Sequence, residues 1–272
     1  MLIWGPYSLD MGHVHLGKLP VSRAWNAVVR LLTNHADVET IAAAAQNASD
    51  KAFAHMTDDP GFGDAVSLLS QLAVAARKDD PAGHLAANGL ILPANPSVLD
   101  VGMAIGNALE LKARERRNLS DLAILTNGAM VSSVTQHLKN VLGELISPTG
   151  AEIHTALHNL GRETQFGKLA RTFFFNLAKD CQRHFLSKEL GAQIGENRAF
   201  STTAQVSQFE AALDQHAYEA SEIVERFSSK WFSKNHHEGE GDISAKKSSG
   251  FGWRAIGKIR EEMTVRAASH AH

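Results

Sequence analysis

Residues 162–190 read RETQFGKLARTFFFNLAKDCQRHFLSKEL, and this stretch decides the fold class. It contains no proline and a single glycine, Gly167. Phe166, Leu169, Ala170, Phe173, Phe174, Leu177, Cys181 and Phe185 recur at spacings of three and four, the period of one helical face. Together they fan across roughly 160° of the helix, a stripe so wide that several other helices must cover it. Lys168, Arg171, Phe175 and Lys179 fall on the opposite face, with Arg183 flanking them. The stretch is predicted to be the core helix of an all-α protein.

Downstream, Gly191 and Gly195 close this helix. A last long helix is expected over 203–232, with a stripe from Val206 through Phe209, Leu213 and Val224 to Trp231. Residues 235–250, NHHEGEGDISAKKSSG, hold one large apolar residue and read as a flexible polar linker. Residues 251–272 read as a tethered amphipathic basic segment. Phe251, Ile256, Ile259 and Met263 alternate there with Arg254, Lys258, Arg260 and Arg266, and Trp253 is its expected anchor.

Upstream, Gly161 separates the core helix from a short helix near 152–160. Asn118 or Ser120 is the expected cap of a helix running to Leu145, and Pro96-Ser97 opens another that ends in Lys112, Arg114, Arg116 and Arg117. Leu90-Ile91-Leu92 is the one strand-like run, and one strand makes no sheet. Asp64 is the candidate cap of a helix through Val66, Leu69, Leu72 and Ala76. Asp-Asp-Pro turns at 58–60 and 79–81 bracket it. Two further helices are expected near 22–32 and 37–56, after an irregular stretch over 1–19. The expected architecture is a single orthogonally packed multi-helix domain over 1–234, then the linker and the segment.

The chain has 272 residues, 44% hydrophobic, so it can bury a substantial core. Its formal charge of −2 gives no global pull toward nucleic acid. The one cysteine, Cys181, excludes an internal disulfide, and its place in the stripe predicts a buried, inert thiol. MLIWGPYSL lacks the basic start of a secretory signal, and no 18-residue apolar run is present. A soluble, cytoplasmic protein is therefore expected. Charge is segregated: residues 162–190 hold six Lys/Arg against three Asp/Glu, whereas 201–225 hold five acids and no Lys or Arg. Pairing of these two stretches is the first expectation. If the basic face is free, Phe175 among Lys168, Arg171 and Lys179 makes a stacking site for a base.

Three short motifs are candidates for chemistry. His13-Val14-His15 is similar to the His-x-His of amidohydrolases, yet the alternating strands that family needs are missing. His154 and His158 share a helix face at i, i+4, without the glutamate that follows the first His in zincins. Arg30 and His35 match the Arg-x4-His spacing of the all-α HEPN ribonucleases. Histidine there moves protons and arginine steadies phosphate charge. Walker A, G-x-G-x-x-G and G-x-S-x-G signatures are absent from the sequence.

The leading expectation is a non-catalytic helical scaffold or adaptor subunit of a larger intracellular assembly, without cofactor or metal. Its expected partner is another protein subunit or a second copy, and no membrane. The alternative is a nucleic-acid-acting protein. It would bind RNA or single-stranded DNA through Lys168, Arg171, Phe175, Lys179, Arg183, Trp253, Arg254 and Lys258, or act as a HEPN-like metal-independent ribonuclease through Arg30 and His35.

Overall fold

The central stripe forms the helix it predicts. The computed structural model describes residues 23–34, 36, 38–48, 59–117, 120–143 and 148–270. In chain order the helices are α1 (Arg23–Thr33), α2 (Val38–Ala48), α3 (Pro60–Ala75), α4 (Pro81–Ala87), α5 (Val98–Glu115), α6 (Asp121–Leu142), α7 (Gly150–Asn159), α8 (Glu163–Leu190), α9 (Thr203–Ala220), α10 (Glu222–Glu238) and α11 (Ala245–His270). Among the described residues no strand forms. A single isolated bridge joins Ile194 and Phe200. The result is an all-α, orthogonally packed multi-helix domain, and no helix among the described residues is long and apolar enough to cross a membrane.

Helix α8 lies at the centre, packed chiefly against α10 and α6. Phe166, Leu169, Ala170, Phe173, Phe174, Leu177 and Cys181 are all buried, as their spacing requires. Burial, and secondarily Asp180, pushes the Cys181 thiol pKa up, so the thiol stays protonated. Helix α3 is the second core element. Nearly every side chain from Ala65 to Ala75 is buried, the signature of a helix covered on all sides.

The chain starts its helices with local chemistry. Asp59, not Asp64, caps α3: its carboxylate accepts from the Gly61 and Phe62 amides at 2.8 and 3.0 Å, and Pro60 occupies the first helical position. Asp64 instead pairs with Arg116, a basic residue at the end of α5. Ser97–Asp100 and Thr149–Glu152 form capping boxes for α5 and α7. Ser120 caps α6 through the Ala123 amide at 2.9 Å.

The structure differs from the sequence reading in two further places. The helix expected over 203–232 breaks at Ser221 into α9 and α10. Arg171 of α8 fastens the break, donating to Ser221 Oγ at 3.1 Å and to the Tyr218 carbonyl at 3.2 Å. Apolar periodicity runs straight through such a corner because both helices bury their stripes. The second difference is the expected tether. Asn235–Glu238 finish α10, residues 239–244 make a tight turn with Glu240 and Gly241 at positive φ, and α11 begins at Ala245. Ile243 is buried in that turn, and its carbonyl accepts from Gln71 Nε2 of α3 at 2.8 Å. The segment beyond packs into the common core. Phe251 stacks on Trp231 with ring centroids 4.2 Å apart and meets Phe174 edge-on at 5.5 Å. Gly252 lets α11 approach α3, since a Cβ there would lie 2.8 Å from Phe62. Polar composition predicted a tether because a turn with one buried isoleucine carries little apolar signal.

Candidate functional site

The basic face of α8 is largely occupied by the acidic stretch, as charge segregation predicted. Arg171 reaches Glu225 at 3.3 Å and lies over the Tyr218 ring at 4.3 Å. Arg183 meets Asp214 at 2.5 Å. Phe175 is half-buried, edge-on to Tyr218 at 5.4 Å, with the Lys179 ammonium 5.3 Å from its ring. Lys168 is exposed. Beneath this face His137 of α6 is buried, and its Nε2 has no hydrogen-bond partner. Burial, and secondarily the charge of Lys168, pushes its pKa down to about 4.

The C-terminal candidates have a different setting. Trp253 is 39% exposed, Arg254 is exposed, and Lys258 sits 5.3 Å from the Phe227 ring. All three line an open groove of about 870 Å³ between α10, α11 and the end of α2.

Of the short motifs, His13-Val14-His15 and His35 lie outside the described residues, and Arg30 is exposed on α1. His154 and His158 are exposed on α7, where they edge an apolar pocket. The His154 ring nitrogen Nε2 is 3.2 Å from the Ala94 carbonyl. Leu90-Ile91-Leu92 is an extended strap over the same pocket. Among the described residues no three His, Cys, Asp or Glu side chains gather to hold a metal.

A surface that sequence reasoning missed lies on α5 and α6. These antiparallel neighbours approach closely at Gly102, where a Cβ would stand 2.9 Å from Thr135 Cγ2. Leu99, Met103, Gly106 and Glu110 follow one another at spacings of four, three and four along α5. Ile124, Gly128, Val131 and Thr135 repeat the same spacing along α6. Both sets therefore lie in single rows, on either side of one seam. Leu99 is 68% exposed, Met103 50% and Ile124 52%. Gly128 forms part of the floor of a hollow of about 450 Å³, and nothing lies within 4 Å of where its Cβ would be. Asn127 donates weakly to the Gly106 carbonyl at 3.4 Å, and its buried Oδ1 has no partner. The Glu110–Arg114 pair, at 2.5 Å, edges the hollow with charge. The signal was present as the matched spacing, but an apolar residue at helical period reads equally well as core.

An apolar row with a small-residue floor and a charged rim has the composition of a docking surface for another helix. No family model, curated protein or solved structure matches this chain.

Proposed function

We propose that this chain is a non-catalytic helical adaptor subunit whose α5–α6 seam receives an amphipathic helix from a partner protein. The observation that carries the reading is the seam itself. Three large apolar side chains stand half or more exposed in two rows, and mid-helix Gly128 leaves open space in the hollow beside Ile124. Glycine costs a helix interior about 1 kcal/mol relative to alanine. Close approach of another backbone is a physical use for that cost. A helix laid along the seam would present its apolar face to Leu99 and Met103 at one end and to Ile124 at the other.

The test is purification from the source cell. Wild-type chain should bring down a stoichiometric partner, and Met103→Asp combined with Ile124→Asp should lose it while the thermal midpoint stays put. Recovery of the same partner with the double variant, or of lone wild-type chain, would overturn the reading.

The open groove at Trp253, Arg254 and Lys258 favours a second reading, in which this face binds RNA or single-stranded DNA. Exposed indole supplies a stacking platform and the cations track phosphate. Salt-sensitive gel retardation, lost in Arg254→Glu with Lys258→Glu, would support it. Absence of any retardation at low salt would remove it.

A further inference from the structure

The pocket edged by His154 and His158 is separate from the seam and independent of the adaptor reading. Its floor is Leu72 and Ala75 of α3, Leu85 of α4, Leu90 of the strap and Leu157 of α7, all buried in the core. One wall is the exposed edge of α4, Ala82 and Ala86, and the other is the strap, with Ile91 74% exposed. The pocket, open at its mouth, has a volume of about 660 Å³, within the range of roughly 300–1,000 Å³ typical of small-molecule sites.

The walls are held in place by polar contacts outside the cavity. Gln71 joins α4 to α3, its Oε1 2.7 Å from His84 Nε2, while its amide nitrogen holds the Ile243 carbonyl. The strap is fixed at one end by the Leu90 amide on the Leu85 carbonyl at 2.9 Å and at the other by His154 at Ala94. The pocket is thus built into the resting fold and needs no rearrangement to exist.

Its chemistry narrows the occupant. Among the described residues the lining contains no Phe, Tyr or Trp, no carboxylate and no Lys or Arg. Below the mouth it is aliphatic, so a peptide would leave its amides without partners there, at a cost of several kcal/mol. An unbranched hydrocarbon has no such groups. At the mouth, the only titratable side chains among the described residues are the two imidazoles, one turn apart, with Thr155 between them. The His158 ring has no partner in the described chain, and an imidazole N–H donates a hydrogen bond to a carboxylate. We infer that this pocket binds a medium-chain fatty carboxylate, with its chain among Leu72, Leu85, Leu90 and Leu157 and its head group at His158.

Calorimetric titration of the full chain with octanoate, decanoate and dodecanoate tests the assignment. Burial of methylenes at about 0.8 kcal/mol each corresponds to a roughly fifteen-fold gain in affinity per two carbons until the chain outgrows the pocket. Ala86→Trp, at an exposed wall position, should abolish binding with the thermal midpoint unchanged. His158→Ala should weaken dodecanoate about ten-fold, the loss of one charge-assisted hydrogen bond, and leave dodecan-1-ol unaffected. Equal affinities along the series, or dodecanoate binding that survives Ala86→Trp or is unchanged in His158→Ala, would overturn the inference. These experiments leave the seam untouched, so their failure is distinct from failure of the adaptor reading.

Discussion

Helices α8 and α11 present similar polar faces in sequence and meet opposite fates in the fold. Each carries an aromatic among cations: Phe175 with Lys168, Arg171 and Lys179 on α8, Trp253 with Arg254 and Lys258 on α11. On α8, the acidic α9–α10 corner lies across the face, and Arg171 and Arg183 are drawn into ion pairs. On α11, no acidic helix among the described residues crosses Trp253 and Arg254, and the face opens on a groove. The difference resides in what packs opposite, and local composition carries no record of that. A basic, aromatic helix face is a surface in one place and an internal seam in another.

The buried sides of the two helices should behave alike, and this is the largest expected effect. Phe174→Ala and Phe251→Ala should each cost about 3–5 kcal/mol in denaturant unfolding, while half-buried Phe175→Ala costs clearly less. Deleting 251–272 should then prevent stable folding. A truncated chain with the wild-type midpoint would restore the tethered segment and break the comparison.

The second effect lies under the α8 face. The pKa of His137 falls to about 4 in the folded chain from an ordinary value near 6.5. Between those values the unfolded state holds the extra proton, so stability falls as pH drops from about 6.5 to 4, by on the order of 3 kcal/mol. His137→Leu should flatten the urea midpoint over that window. An unchanged slope would mean that His137 is not held neutral beneath Lys168.

The exposed sides should differ. Arg171→Ala strips hydrogen bonds from Ser221, the Tyr218 carbonyl and Glu225 and should cost about 1–3 kcal/mol. Arg254→Ala on α11 should stay within about 0.5 kcal/mol. Similar losses from both would erase the distinction between a paired and an open face.

The smallest effect extends the comparison to the α5–α6 seam. Gly128→Ala should stabilise the isolated chain by about 0.5–1 kcal/mol, because the helix gains and no neighbour is displaced. The same change should weaken binding of the partner helix. A variant more stable yet equally well bound would show that the glycine floor is not used.

The sequence by itself determined the elements whose cause is local. The three- and four-residue spacing of 166–181 placed α8 and its buried face, because a stripe that wide has no alternative to burial. Ser97, Ser120 and the proline punctuation marked helix boundaries, because caps act within one turn. Opposite charge on 162–190 and 201–225 foretold their pairing in outline. The corner at Ser221 was decided by tertiary structure, since it depends on Arg171 arriving from fifty residues away. So was the burial of one face of α11, from Phe251 to Met263, since the aromatic partners of Phe251 come from α8 and α10. The seam and the pocket were decided the same way. Leu99 and Leu90 are both apolar residues in sequence, and only the arrangement of α3 to α7 leaves the first in water and the second on the floor of a cavity.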